Sequence, residues 1–127
     1  MNDKIEVVIV EDDRELRNLL EQLIDKQEDM KVTKTFSNGR SFINEFKALD
    51  VDVVIMDINM PVVDGIEATR RLNRELPHIS VIGLSVDNNK QMEEMMRKAG
   101  AASFLTKDTA IEKIHETILE VLQSPIE

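Results

Sequence analysis

The chain contains no cysteine, no tyrosine and no tryptophan. Without cysteine there are neither disulfides nor thiolate metal sites, and the redox compartment is left open. With four Phe as the only aromatic residues, the core has to be aliphatic, and seven Met are available to fill its gaps. No apolar run approaches the roughly 20 residues of a membrane span. The first apolar stretch, Ile5–Val10, is six residues long and runs straight into acids, too short for a signal-peptide core. A cytoplasmic protein is the default expectation. Basic residues are in deficit: 16 Lys and Arg face 25 Asp and Glu, for a net charge of −9. That balance repels nucleic acid and anionic membrane. Repeats and low-complexity tracts are also missing. The expectation is a single domain over 1–127 with a real core and no need of staples.

What is present is organised around Val53-Val54-Ile55-Met56-Asp57. A continuous apolar run reads as a strand buried on both faces. An aspartate at its carboxyl end lies where open parallel sheets place ligand chemistry. Four more strands are expected, over Ile5–Val10, Lys31–Phe36, Ile79–Leu84 and Ala101–Leu105. The second is partly polar and suits a sheet edge.

Helical stripes alternate with these strands. They are Leu16, Leu19, Leu20, Leu23 and Ile24; Phe42, Ile43, Phe46 and Leu49, after an Asn38-Gly39 turn; Ile66, Thr69, Leu72 and Leu76, ended by Pro77; Met92, Met95, Met96 and Ala99; and Ile111, Ile114, Ile118 and Leu122. Asp64 with Glu67, and Thr109 with Glu112, read as capping boxes, and Gly100 as a C′ glycine. The Met92, Met95, Met96 stripe is expected in the core. The tail from Gln123 to Glu127 reads as a boundary, leaving a core of about 4–122. Five βα units average about 25 residues each, one right-handed crossover apiece. The fold class is therefore α/β: a flavodoxin-like (βα)5 three-layer sandwich on a five-stranded parallel sheet of order 2-1-3-4-5.

That order makes the first and third strands neighbours, roughly 5 Å apart. Glu11, Asp12 and Asp13 then lie beside Asp57. Carboxylates crowded together repel unless a cation sits among them, and oxygen ligands select a hard cation such as Mg²⁺. The alternative for Glu11-Asp12-Asp13 is a solvated helix N-terminus, where acids complement the dipole. Ser85 and Lys107 follow the fourth and fifth strands and can reach toward Asp57. Taken singly, Ser85 suits a helix cap and Lys107 an exposed surface position. Together these residue types suit phosphoryl transfer to a carboxylate: an aspartate nucleophile, a cation to neutralise charge, and a lysine and a hydroxyl for the phosphoryl oxygens.

Glu11-Asp12, Asp57, Ser85 and Lys107 resemble the five marker positions of the response-regulator receiver domain of two-component signalling. Met60-Pro61-Val62-Val63-Asp64-Gly65 is similar to that family's Met-Pro-x-x-Asp-Gly segment. The resemblance covers essentially the whole chain. It implies a phosphorylation-dependent switch in which Asp57 is the phosphoacceptor. It implies Mg²⁺ (or Mn²⁺) held by Asp12, by Glu11 through water, by Asp57 and by the Asn59 backbone carbonyl. Lys107 would pair with the phosphoryl group, and Ser85 would move to hydrogen-bond it. Phe104 matches the aromatic switch position, and output would run through the surface of the fourth helix, fifth strand and fifth helix. The implied partners are a histidine kinase or phosphotransfer protein and an output domain or output protein, with no direct binding of nucleic acid or membrane. A homodimer through the fourth and fifth units is compatible with this. Asn59 and Asp87 would flank the phosphoryl group and tune its lifetime. Asp13 is expected to be a helix cap, and His78 and His115 surface residues rather than phosphodonors.

One departure from the family pattern stands out. Asp108 follows Lys107 where the family commonly has proline. A cis bond without proline costs about 2.5–4 kcal/mol, so Lys107–Asp108 is expected to be trans. Receivers with Lys-Asp or Lys-Gly here resemble those of regulators with helix-turn-helix output and of hybrid sensor kinases. Three other functions compete. A phosphohydrolase of the haloacid dehalogenase kind needs a second aspartate two residues after the nucleophile, and Asn59 stands there, so an enzyme is not expected, only slow self-dephosphorylation. A flavin or nucleotide module needs a Gly/Ser/Thr-rich phosphate loop, and Glu-Asp-Asp-Arg-Glu after the first strand would repel phosphate. A scaffold that has lost phosphorylation would not need all five markers.

Overall fold

The computed structural model describes residues 3–60 and 64–123. Five strands alternate with helices: β1 (Ile5–Val10), α1 (Arg14–Asp25), β2 (Met30–Phe36), α2 (Gly39–Glu45), β3 (Val53–Asp57), α3 (Gly65–Glu75), β4 (Ser80–Ser85), α4 (Lys90–Ala99), β5 (Ser103–Thr106) and α5 (Lys107–Gln123). All strand pairings are parallel, in the order β2-β1-β3-β4-β5. The expected flavodoxin-like sandwich is the one observed, with the partly polar β2 at an edge. Pro61, Val62 and Val63 of the Met-Pro-x-x-Asp-Gly segment lie outside the described residues, as does the tail from Ser124.

The continuous apolar strands are explained by burial on both faces. Val8, Val10, Val54 and Met56 point to one layer, against Phe42, Ile66, Leu72 and Met96 of α2, α3 and α4. Val7, Ile9, Val53 and Ile55 point to the other, against Leu20, Ile24, Ile114 and Ile118 of α1 and α5. Each such side chain contributes about 1.5–3 kcal/mol by leaving water. Three of the four Phe gather near the β2 edge: the Phe36 and Phe42 rings meet edge to face at 5.5 Å, and Phe42 stacks on Phe46 at 5.7 Å.

Some boundaries differ from the sequence expectation. α2 stops at Glu45, and Phe46–Ala48 form a 3₁₀ turn. Leu49 still packs on the core, from extended backbone. β5 begins at Ser103 rather than Ala101, because Ala101 is used to end α4. Its N–H donates to the Met96 carbonyl at 2.9 Å and that of Gly100 to Arg97 at 3.0 Å. This is a Schellman cap, and Gly100 takes the left-handed φ of 119° that it requires. Thr109 does not cap the last helix. α5 starts at Lys107, and the Thr109 N–H is itself capped by the Thr106 hydroxyl at 3.2 Å.

The helical stripes are not covered along their whole width. Met96 is fully buried, but Met95 is 43% exposed, and Leu19, Ile111 and Leu122 are exposed as well. Asp64 caps α3 by accepting the Glu67 N–H at 2.9 Å. The Glu67 carboxylate is engaged by Arg70 and Arg71.

Gly65 opens α3 directly against the end of β3. A Cβ there would lie 2.2 Å from the Asp57 carbonyl oxygen and 2.7 Å from the Ile58 Cα. Both are backbone atoms and cannot swing aside. Gly65→Ala is expected to destabilise the fold by about 3 kcal/mol. Urea unfolding checks this, and a loss below about 1 kcal/mol would contradict the close approach.

Candidate functional site

The site is built at the carboxyl ends of β1 and β3. These strands pair in register, with Val10 opposite Met56, so the residues that follow, Glu11 and Asp57, emerge side by side. Both are 0% exposed, whereas Asp12 is open to solvent. Glu11, Asp12 and Asp57 each bring a carboxylate oxygen to within 4.8 Å of the others. Asp13 turns away and caps α1, accepting from the Glu15 and Leu16 N–H groups at 2.9 and 3.3 Å.

Lys107 arrives from the first turn of α5. Its Nζ lies 3.0 Å from Glu11 Oε2 and 3.3 Å from Asp57 Oδ2. Glu11 Oε2 also accepts the Asp13 N–H at 3.0 Å, and Asp57 Oδ1 accepts the Asn59 N–H at 2.9 Å. One oxygen of each buried carboxylate, Glu11 Oε1 and Asp57 Oδ2, has no hydrogen-bond partner among the described residues. The Lys107–Asp57 contact is thus an ion pair without an aligned hydrogen bond. The Lys107–Asp108 bond is trans.

Burial is the largest influence on Asp57, and it pushes the carboxyl up to about 7. The Asn59 N–H works against this. The neighbouring Glu11 charge and Asp12 add to it, and Lys107 opposes it. Burial alone would lower the Lys107 ammonium, but Glu11 and Asp57 prevail and hold it above its ordinary value. The cluster therefore has more negative charge than its one lysine balances. Orphaned buried oxygens, an all-oxygen donor set and a carboxyl raised by burial and by its acidic neighbours all fit a hard divalent cation.

Other expected site residues are placed less directly. Ser85 ends β4, the strand next to β3, and is buried, but its Oγ donates to the Asp87 carbonyl at 2.6 Å. Phe104 is half-buried on β5, against the same core layer as Met96. Asn59 is exposed beside Asp57. His78 is exposed, and His115 is half-buried, its Nε2 3.2 Å from Asp29.

Two contributors have little or no signal in the sequence. Arg17 donates through NH1 to the Glu11 carbonyl at 2.9 Å, tying α1 to the acid pair. Thr106 caps the helix that carries Lys107; a Thr before a helix could have been read as a cap, but Thr109 competed for the role.

The raised Asp57 carboxyl has a sign for stability. The folded chain holds this proton more tightly than the unfolded chain, whose carboxyl titrates near about 3.9. Its contribution is fully present below about pH 4 and is lost as pH rises through about 7. In metal-free buffer, Asp57→Asn is expected to stabilise the domain by about 1–2 kcal/mol at pH 8 and by much less at pH 5. Urea midpoints at the two pH values check this. An equal effect at both, or a loss at pH 8, would contradict it.

The comparisons with known proteins agree with this geometry. The profile of the response regulator receiver domain matches residues 7–119. The chain is 29% identical over 120 residues to the transcriptional regulatory protein DegU of Brevibacillus brevis, covering 94% of this chain and 51% of that protein. It is 31% identical over 117 residues to the response regulator GacA of Pseudomonas aeruginosa, covering 92% and 55%. It therefore spans about half the length of these curated relatives. Among solved structures, the response regulator domain of Thermotoga maritima CheB superposes with a TM-score of 0.87 at 27% identity, over 97% of this chain and 99% of that one. On the profile match and the shared fold, the chain belongs to the response regulator receiver domain family.

Proposed function

We propose that this chain is a phosphorylation-dependent signalling switch that accepts a phosphoryl group on Asp57 from the phosphohistidine of a histidine kinase or phosphotransfer protein. The observation that carries the reading is the buried Asp57 carboxylate, grouped with Glu11 and Asp12 and facing Lys107 at 3.3 Å. In the transfer, an Asp57 oxygen forms a bond to phosphorus and the P–N bond to the donor imidazole breaks. The imidazole nitrogen keeps the electron pair and takes up a proton.

Glu11, Asp12, Asp57 and the Asn59 backbone carbonyl would hold Mg²⁺ (or Mn²⁺). When bound, the cation supplies charge neutralisation on the phosphoryl oxygens and keeps Asp57 ionised. Lys107 pairs with the transferred group. Ser85 gives up the Asp87 carbonyl and donates its hydroxyl to a phosphoryl oxygen. Such charge-assisted bonds exist only in the phosphorylated state, so they can shift a two-state equilibrium. Phe104, half-buried beside Ser85's strand, is positioned to follow that shift, with output through the surface of α4, β5 and α5. An output domain or partner protein reads that surface, and dimerisation through it is one form of output. The chain acts in the cytoplasm, where such kinases present phosphohistidine.

Family membership supports the reading, because receivers of two-component regulators serve phosphorylation-dependent signalling. It is also supported against a phosphohydrolase. Asn59 has an amide where such an enzyme needs a carboxyl acid/base, so self-dephosphorylation is slow. Incubation with acetyl phosphate and Mg²⁺ is expected to add one phosphoryl group, as read by intact mass. A chelator abolishes the addition, and so does Asp57→Asn. Undiminished labelling of Asp57→Asn, or rapid multiple turnovers on an aryl phosphate, would overturn the proposal.

A further inference from the structure

We infer that Thr106 is a positioning residue for phosphoryl transfer: its hydroxyl locks the junction between β5 and α5, and that junction aims Lys107 at the acid cluster. The inference rests on Asp57 being the phosphoacceptor, and it concerns a residue outside the five marker positions.

The junction has no linker. Thr106 is the last residue of β5 and Lys107 the first of α5. A single residue therefore has to end a strand and cap a helix. Its hydroxyl makes two bonds. It accepts the Thr109 N–H at 3.2 Å, the bond from the N-cap to the third helical residue. It also donates to the Thr109 hydroxyl at 2.9 Å. On the strand side, Thr106 is in register with Ser85 of β4. One residue thus links the strand end bearing Ser85 to the helix turn bearing Lys107.

The helix start needs this lock. Lys107 is a cation at a helix N-terminus, where the macrodipole disfavours positive charge. Glu11 and Asp57 hold the ammonium there, at 3.0 and 3.3 Å. Their pull runs from a half-buried side chain across to β1 and β3, and without a cap it would be resisted only by a frayed first turn. A displacement of about 1 Å at a reacting group is costly to transfer. Threonine suits the position better than serine on the strand side, since a β-branched residue favours extended backbone, but the lock itself needs only the hydroxyl.

The test measures the initial rate of Asp57 phosphorylation by acetyl phosphate in saturating Mg²⁺. In that step an Asp57 oxygen bonds to phosphorus, and acetate leaves with the electron pair of the broken P–O bond. Thr106→Val keeps shape and strand preference and removes both hydrogen bonds. It is expected to slow labelling about fivefold, the factor equivalent to a lost cap of about 1 kcal/mol. Thr106→Ser restores the rate to within about twofold. Asn38→Ala, which removes the cap of α2 (the Ser41 N–H at 2.8 Å), loses comparable stability and leaves the rate unchanged. In a Lys107→Ala background Thr106→Val has no further effect, because the residue acts through Lys107.

An unchanged rate in Thr106→Val overturns the inference, and so does a fivefold loss that persists in the Lys107→Ala background. Should Thr106→Val not fold, Thr109→Val removes only the 2.9 Å bond. It is expected to slow labelling by a smaller factor, and an unchanged rate there is equally fatal. Failure of the unsubstituted chain to label would instead overturn Asp57 as phosphoacceptor, and this inference with it.

Discussion

Two carboxylates with no exposure to solvent, Glu11 and Asp57, share a single lysine. Burying a charge is costly unless it is paired, and here the pairing is incomplete: each carboxylate keeps an oxygen without a hydrogen bond among the described residues. The sheet is arranged to hold this tension. β1 and β3 lie side by side and carry the acids. Gly65 lets α3 close against the end of β3, and Arg17 ties α1 to the Glu11 carbonyl. Thr106 fixes the start of α5, from which Lys107 reaches across. The core layers stabilise the domain with ordinary aliphatic packing, and that stability offsets a site that is unfavourable without further positive charge.

The same shortfall bears on how the site would act as the proposed switch. Burial, with Glu11 beside it, pushes the Asp57 carboxyl up to about 7. On the proposed function, phosphorylated Asp57 would present new oxygens to Lys107 and Ser85. Ser85 is satisfied by the Asp87 carbonyl at 2.6 Å, so the proposed switch requires it to exchange one partner for another instead of gaining a bond outright. The proposed switch would thereby couple the β4–α4 segment to the state of Asp57.

The fold was legible because its signals were strong and mutually consistent. Val53–Met56 and Val7–Val10 are apolar without interruption, which a strand covered on both faces explains. Five such units with helical stripes between them leave few topologies. The acid cluster was legible because Glu11, Asp12 and Asp57 all fall at strand ends that the topology makes neighbours. What was not legible depended on competition or on close approach. Thr106 and Thr109 both suit a helix cap, and only the geometry shows that Thr106 takes the role, moving the start of α5 forward to Lys107. Ala101 looked like strand, but its N–H closes the Schellman cap of α4. Met95 and Ile111 fit the periodicity of their stripes and yet are exposed, since periodicity marks a face without marking how much of it is covered. The contact of Gly65 with the Asp57 carbonyl and the reach of Arg17 to Glu11 are tertiary facts with no local pattern.

The most direct measurement is to locate the phosphoryl group. The full chain, exposed to acetyl phosphate with Mg²⁺, is digested at acidic pH and its peptides are sequenced by mass spectrometry. The expected result is a single base-labile acyl phosphate on Asp57 within Val53–Met60. A phosphoryl group on Asp12, Asp13 or a histidine, with Asp57 unmodified, would contradict the assignment.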